Sequence, residues 1–404
     1  MRVGVVGAGT AGLATALLLA RDGHSVEVVE RVVDPRPVGA GILLQPLGQA
    51  ILAELGLADA LARTSTPVRR IDGRTRDGRP VLSFGYRDTG RSAVGLGVHR
   101  ADLSSLLWTA SAAGGIPVQT GIDVVRLDHE RDGWRLQAAD GETHGPFDLV
   151  VAADGARSRI RRRLRLATKD VGYPYGAVWA VVPDSEGLAG DVLWQRYRDT
   201  RNTLGILPTG TGQTSIFWSH PIRSIDAVVA SGSAAFLERI RPYAGHLGAL
   251  VERVATTQVL AARYRDVVVP EPWIGRGGHG LVLIGDAAHA MSPQLGMGTS
   301  LALADAWSLA RALRAGADIP TALRAHARDR WAHIRWYTWL SRLMTPVFQS
   351  DLVPMGWARD IAFGPAARLP FVRRQFATIL LGEQTGPWST WPPAARGGPL
   401  ATHR

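Results

Sequence analysis

Three short stretches hold the residue types that could act on a charged ligand. Gly7-Ala8-Gly9-Thr10-Ala11-Gly12 fits G-x-G-x-x-G, and Glu30 follows it. Asp154-Gly155 leads to Ser158 and Arg161. Gly285-Asp286-Ala287-Ala288-His289 leads through Pro293 to Gly296 and Gly298. The third stretch carries an Asp and a His close together, so general acid–base catalysis is one reading of it. Its three glycines and its proline support the other reading, in which backbone geometry around a ligand matters more.

The elements that must position these residues decide what the first stretch means. Residues 2–6 read as a strand, 11–22 as a helix, and His24–Glu30 as a second strand. A G-x-G-x-x-G inside a complete βαβ unit is a specific signal. Gly7 permits the tight turn, and Gly9 lets the backbone approach a pyrophosphate at the helix N-terminus. Gly12 lets helix and strand pack closely, and the Glu30 carboxylate accepts from ribose hydroxyls. An acid at that strand end indicates an adenosine, of NAD or of FAD. No second such motif follows, so one dinucleotide is bound in this manner. Residues 148–153 and the run Gly280–Ile284 read as two further strands, each ending in an Asp-bearing turn. They imply two carboxylates near one ligand.

In this order and over residues 7 to 298, the three motifs resemble the single-component flavoprotein monooxygenases, the aromatic hydroxylases of the para-hydroxybenzoate hydroxylase type. The resemblance implies that Gly7, Gly9, Ala11, Gly12, Glu30 and Arg31 hold the ADP half of FAD. It implies that Asp286 hydrogen-bonds the ribityl or phosphate end. Arg100, in "VHRADLSSLL", reaches toward the flavin phosphate, and Val125 offers a backbone contact to adenine. Asp154 and Gly155 belong to a motif that serves both FAD and NAD(P)H, with Arg161 as support. Pro293, Gly296 and Gly298 shape the loop against the flavin ring, and Thr299 completes the cofactor-binding set. No side chain is assigned as a catalytic acid or base, because the cofactor carries the hard step. His289 is read as support behind the loop, and Asp305 as a polar structural residue. The helix starting near Gly298 offers its positive end to an anionic reduced flavin. Two departures stand out. Gly298-Thr299-Ser300 replaces the family's G-x-N, with Ser300 expected to help cap the helix, and Gln45-Pro46-Leu47 replaces Pro-Asn-Ala.

The expected fold class is α/β: a Rossmann-like FAD-binding domain with an interleaved mixed β-sheet substrate domain and C-terminal helices. FAD-binding parts fall at 1–67, 97–166 and 276–315. Substrate-domain strands fall at 68–96 and the main substrate sheet at 167–275, and 316–404 is helical. Runs at 174–182, 192–197, 203–207 and 214–219 alternate as strands of one sheet, with a strand pair in 68–84 and a helix at 225–241. Helices are expected at 321–345 and 354–381, with a mobile Gly/Pro-rich stretch at 386–404. Pocket candidates are Gln45, Trp179, Trp194, Arg196, Phe217 and His220. Alternation does not decide which sheet face they use, and ordinary sheet core accounts for the aromatics equally well.

The expected activity is insertion of one oxygen atom from O2, activated at the flavin C4a, into an aromatic or polyketide-like small molecule, with NAD(P)H as reductant. Hydroxylation, epoxidation and Baeyer–Villiger oxidation all fit the motifs. A flavin oxidase or reductase remains open as an alternative. A halogenase fits less well, because the only lysine, Lys169, lies after the second motif. With no cysteine there is no disulfide, no thiolate metal site and no Cys nucleophile, and no metal is expected. The net charge is +11, but the arginines are spread along the chain without a nucleic-acid-binding signature. The expected partners are therefore the small-molecule substrate and O2, not nucleic acid. No apolar run reaches the ~20 residues that span a bilayer. Val3–Val6 leads straight into the glycine motif, so no signal peptide and a cytoplasmic location are expected, for a monomer or homodimer.

Overall fold

The computed structural model describes residues 1–35, 39–316 and 318–391. Its centre is a six-stranded sheet in the order Trp273–Arg276, His279–Leu283, Leu149–Ala152, Arg2–Val6, Ser25–Glu30, Val118–Thr120. All neighbours are parallel except the Trp273–Arg276 edge. These strands are short β-branched runs because both faces are covered. Val3, Val5, Val28 and Val151 face the helices Thr10–Arg21 and Gly298–Arg314. Val6, Val150 and Leu283 face Trp134, Leu136 and Phe147 of a three-stranded antiparallel sheet.

The second large sheet has seven strands, in the order Leu260–Val268, Lys169–Pro183, Gln213–Pro221, Thr203–Pro208, Val192–Tyr197, Arg70–Thr75, Pro80–Gly85. The expected early strand pair thus joins the sheet formed mainly by residues 169–268. Register settles the faces. Trp179, Phe217, Gly205 and Gln195 lie in one row across the sheet, and Ala180, Ile216, Ile206 and Trp194 in the next. The Trp194 row is buried under the short helices Ile225–Ala230, Gly232–Ile240 and Gly248–Glu252. The Trp179 row faces inward, where Phe217 packs against a cluster containing Leu43, Tyr86, Leu207 and Phe348. A fourth sheet, Gly41–Leu44, Gly95–His99 and Ser65–Val68, carries Leu43 into that cluster.

Two helical expectations and one about the tail are corrected. The helix at 225–241 is two helices, because Gly232 sits at φ +80 between them. The helix at 354–381 is also two, Val353–Ala366 and Pro370–Leu381. Leu369 is extended (φ −71, ψ 122), as the residue before a proline tends to be. The tail begins later than expected. Trp391 is 1% exposed, stacked on His333 and edge-on to Trp307, so 386–391 is tied down. Residues 392–404 lie outside the described residues.

Candidate active site

The C-terminal ends of adjacent parallel strands bring the three motifs together. Arg2–Val6 ends in Gly7, its neighbour Leu149–Ala152 leads to Asp154, and the next strand, His279–Leu283, leads to Asp286. Strand ends of this kind are where α/β sheets bind ligands.

The glycine turn divides its work between fold and ligand. A Cβ at Gly12 would lie 1.9 Å from the Gly7 carbonyl oxygen, so helix packing itself demands glycine there. A Cβ at Gly9 would meet nothing within 4 Å, and its backbone is extended (φ −80, ψ −176). Neither packing nor strain requires glycine at that position; an incoming ligand would. The helix that follows has no side-chain cap, so its first N–H groups stay available. Glu30 accepts from Ala8 N (2.8 Å) and from Val32 N (2.9 Å), bracing the loop it adjoins. Arg31 is exposed beside it. Ala11 lies under the third motif, with its Cβ 3.0 Å from the Cβ position of Gly285. Val125 is half-buried just beyond Ile122, whose N–H donates to the Glu30 carbonyl (2.9 Å). Arg100 is exposed at the start of the helix Arg100–Ala113, its stem 3.0 Å from the Cβ position of Gly39.

Asp154 caps the helix Arg159–Arg163. Its Oδ2 accepts from Arg159 N (2.8 Å) and Ile160 N (3.3 Å), while Oδ1 is buried without a partner. Gly155 sits at φ +79 in the turn. Arg161 is 0% exposed and reaches three places: Ala156 O (2.7 Å), Ala287 O of the third motif (2.8 Å) and Asp170 of the large sheet (2.9 Å). Arg162, Arg163 and Arg165 point to solvent.

In the third motif, Asp286 is exposed and makes no hydrogen bond or ion pair among the described residues. Its Oδ1 lies 3.9 Å from the Cβ position of Gly298. Pro293 is exposed, and Gly296 and Thr299 are half-buried. The helix Gly298–Arg314 has no side-chain cap. Contrary to expectation, Ser300 does not cap it; its Oγ accepts from Gln45 N (3.3 Å) instead. Gln45 is fully buried. Its Oε1 accepts from Tyr86 OH (2.6 Å), and its Nε2 has no partner and lies 3.5 Å from the Cβ position of Gly296. Burial pushes the Tyr86 hydroxyl well above its ordinary range, so it remains a donor.

His289 is buried, and its Nε2 donates to Asp305 Oδ2 (2.6 Å). The same oxygen accepts from Gly285 N (2.8 Å), and Oδ1 accepts from Arg330 Nε (2.8 Å). Burial alone would raise the Asp305 carboxyl, but His289 and Arg330 hold it far below the usual range. Arg330 also bonds His333, which donates to Gly382 O (2.7 Å), and its guanidinium lies over Trp391. This buried chain sets the turn that carries Asp286. Sequence reasoning missed Arg330 and His333, since they lie on another helix and no local pattern marks them.

The pocket candidates separate. Trp179 and Phe217 lie on the inner face, ring centroids 4.9 Å apart. Tyr264, not foreseen, lies on the neighbouring strand Leu260–Val268, and burial pushes its hydroxyl up to about 12. Gln195, in the same cross-strand row, was passed over although its alternation was legible. Trp194, Arg196 and His220 are on the opposite face: Trp194 against His246, Arg196 near Asp72, and His220 bonded to Ser224. They do not share a pocket with the first pair. Gln45 follows Leu43 and Leu44, at the entry to the helix Pro46–Glu54.

This arrangement fits a flavin dinucleotide. It has space at Gly9, two uncapped helix N-termini, a free carboxylate at Asp286, and unpartnered buried atoms on Gln45 and Asp154. Comparison with known proteins agrees. Residues 1–318 match the FAD binding domain family. The chain is 34% identical to 3-amino-4-hydroxybenzoate 2-monooxygenase of Streptomyces cremeus, covering 79% of this chain and 80% of that protein. It is 31% identical to 6-hydroxynicotinate 3-monooxygenase of Bordetella bronchiseptica, covering 77% and 82%. The fold matches the crystal structure of Klebsiella pneumoniae HpxO complexed with FAD and uric acid, with a TM-score of 0.78 and 24% identity over 96% of this chain and 98% of that one. The chain belongs to the single-component flavoprotein aromatic hydroxylases and is an FAD-dependent monooxygenase that draws on NAD(P)H and O2.

Proposed function

We propose that this monooxygenase hydroxylates a small electron-rich aromatic ring, an amino- or hydroxy-substituted benzoate or a nitrogen heteroaromatic. The names of its relatives support that class, and one observation in this chain carries it. The inner-face row holds Trp179, Phe217 and Gln195, Phe217 packs on the cluster around Leu43, and Leu43 Cβ lies 3.7 Å from the Cβ position of Gly296. Aromatic walls and amide groups thus meet beside the loop read as holding the flavin ring.

When bound, FAD supplies the electron transfer from NAD(P)H and the activation of O2. The chain supplies position. Gly9 and the helix behind it receive the pyrophosphate, with Glu30, Arg31, Ala11 and Val125 around the adenosine. Asp286 accepts from the ribityl hydroxyls, and Arg100 approaches the linker. The free N–H groups from Gly298 onward stabilise negative charge on the reduced ring. Gln45 offers its unpartnered N–H groups to a carbonyl edge. Trp179 and Phe217 flank the substrate ring and exclude water. Segments 1–67, 97–166 and 276–315 then serve the cofactor, and 68–96 with 167–275 serve the substrate. Among the described residues no helix is long and apolar enough to cross a membrane. We read the protein as a cytoplasmic monomer or homodimer.

The test is isotope transfer. The FAD-loaded enzyme, given NAD(P)H, labelled O2 and a panel of such aromatics, is expected to put one labelled oxygen into product. Its NAD(P)H oxidation should accelerate with the productive ring. Recovery of all electrons as hydrogen peroxide, whatever the ring, would make it an oxidase.

A further inference from the structure

Thirteen large hydrophobic side chains are exposed among the described residues, and nine of them lie between Trp331 and Trp388. They are ordered. The helix Ile319–Phe348 turns Leu323, His326, Arg330, His333, Tyr337 and Leu340 inward. Its opposite side presents Arg324, Arg328, Trp331, Arg335, Trp339 and Leu343, at three- and four-residue steps, over about 28 Å. The next helix, Val353–Ala366, exposes Pro354, Trp357, Ala358, Ile361, Ala362 and Pro365, a face with no charged side chain. Trp357 is 63% exposed and Ile361 71%. Leu369 and Phe371 are also exposed, at the start of Pro370–Leu381. Large exposed apolar side chains concentrated in one part of a folded chain mark an interaction site.

The charges at its margins identify the partner. Arg311, Arg314, Arg330, Arg342, Arg359 and Arg373 all have carboxylate partners. Arg328, Arg335, Arg368 and Arg374, which flank the exposed tryptophans and Phe371, have no ion-pair partner among the described residues. Arg335 instead lies 4.1 Å over the Trp331 ring. Two copies of this face brought together would oppose like charges, on a chain whose net charge is already +11. Anionic headgroups would neutralise those charges while Trp rings and aliphatic side chains enter the acyl boundary. We propose that the outer face of the C-terminal helices docks on the surface of an anionic lipid bilayer, without crossing it. This reading is independent of the substrate assignment.

The holoenzyme is co-sedimented with vesicles of phosphatidylcholine alone and with about one third phosphatidylglycerol. Binding to the anionic vesicles is expected to be about tenfold or more stronger, and to weaken several-fold between about 0.1 and 0.5 M salt. Arg335→Gln should weaken it about fivefold. Trp357→Ser combined with Ile361→Ser should weaken it at least tenfold, while flavin content and turnover stay unchanged. Three results would overturn the proposal. One is failure to bind anionic vesicles, and another is binding indifferent to the double substitution. The third is light scattering that shows a dimer which the double substitution dissociates, making the face a subunit interface.

Discussion

Gly9 and Gly12 separate two demands that one motif combines. At Gly12 a methyl group collides with the backbone at Gly7 O, so Gly12→Ala disrupts the βα unit itself. At Gly9 the protein leaves room, and the φ and ψ suit any residue. We expect Gly9→Ala to fold with an apoprotein melting temperature within about a degree of wild type. Its FAD affinity should fall about tenfold or more, because the methyl enters the space of the pyrophosphate. Asp286→Asn should behave likewise, since the exposed carboxylate has no protein partner to lose. Titrating FAD into each apoprotein by fluorescence checks this; wild-type affinity in both would remove the cradle reading. Residues such as Gly9 were legible because backbone constraints leave a local signature. Trp194, Arg196 and His220 were not. Alternation assigns residues to two faces, but which face meets the cofactor depends on what packs there. The helices from Ile225 to Glu252 decided it by covering the Trp194 row.

At the scale of elements, the helix Gly298–Arg314 does two jobs. Its N-terminus is left uncapped for a ligand, and its interior carries Asp305 and Ser308 toward the long helix Ile319–Phe348. There His326 Nδ1 bonds Ser308 Oγ (3.1 Å), whose hydroxyl donates to Asp329 (2.7 Å). The strands and both helices could be read from periodicity, but this buried polar seam could not, because its members come from elements that periodicity treats separately. The seam has a pH consequence. Burial lowers His326 from 6.5 to about 4, although Asp305 and Asp329 pull the other way. The folded state therefore resists a proton that the unfolded chain accepts. This contribution is intact above about pH 6.5 and is lost as pH falls toward 4, by about 3 kcal/mol in all. His333, also lowered chiefly by burial, adds in the same direction. His326→Gln keeps a donor toward Ser308 and removes the titration. Its stability, from urea unfolding at several pH values, should fall less steeply than wild type over that window. Equal slopes would show that His326 does not resist protonation as described.

Over the whole molecule, the question is how two sheets that share no strand hold one site. Two ionic clasps join them to their surroundings. Asp266, on the edge strand Leu260–Val268, is held by Lys169 (2.6 Å) and by Arg342 of the long helix (2.6 Å). Arg161 is the other, and it touches the second motif, the third motif and the large sheet at once. Burial would raise the Asp170 carboxyl, but Arg161 and Arg265 hold it below the usual range, so the pair stays charged. Arg161→Met keeps the stem and removes the fork. Asp170 retains Arg265, so the cost should fall near the low end for breaking a buried pair, about 3 kcal/mol. The carbonyls of Ala156 and Ala287 lose their donor, and the two Asp-bearing turns lose their common tie to the sheet that carries Trp179. We therefore expect FAD affinity to fall with stability, though Arg161 is buried behind the turns. In urea, flavin release should precede loss of helical signal in Arg161→Met, whereas the wild type should lose both together. Arg161→Lys should recover only part of the effect, since one ammonium cannot reproduce three directed bonds. If flavin release and unfolding stay coincident in Arg161→Met at wild-type FAD affinity, the two sheets hold the site without this clasp.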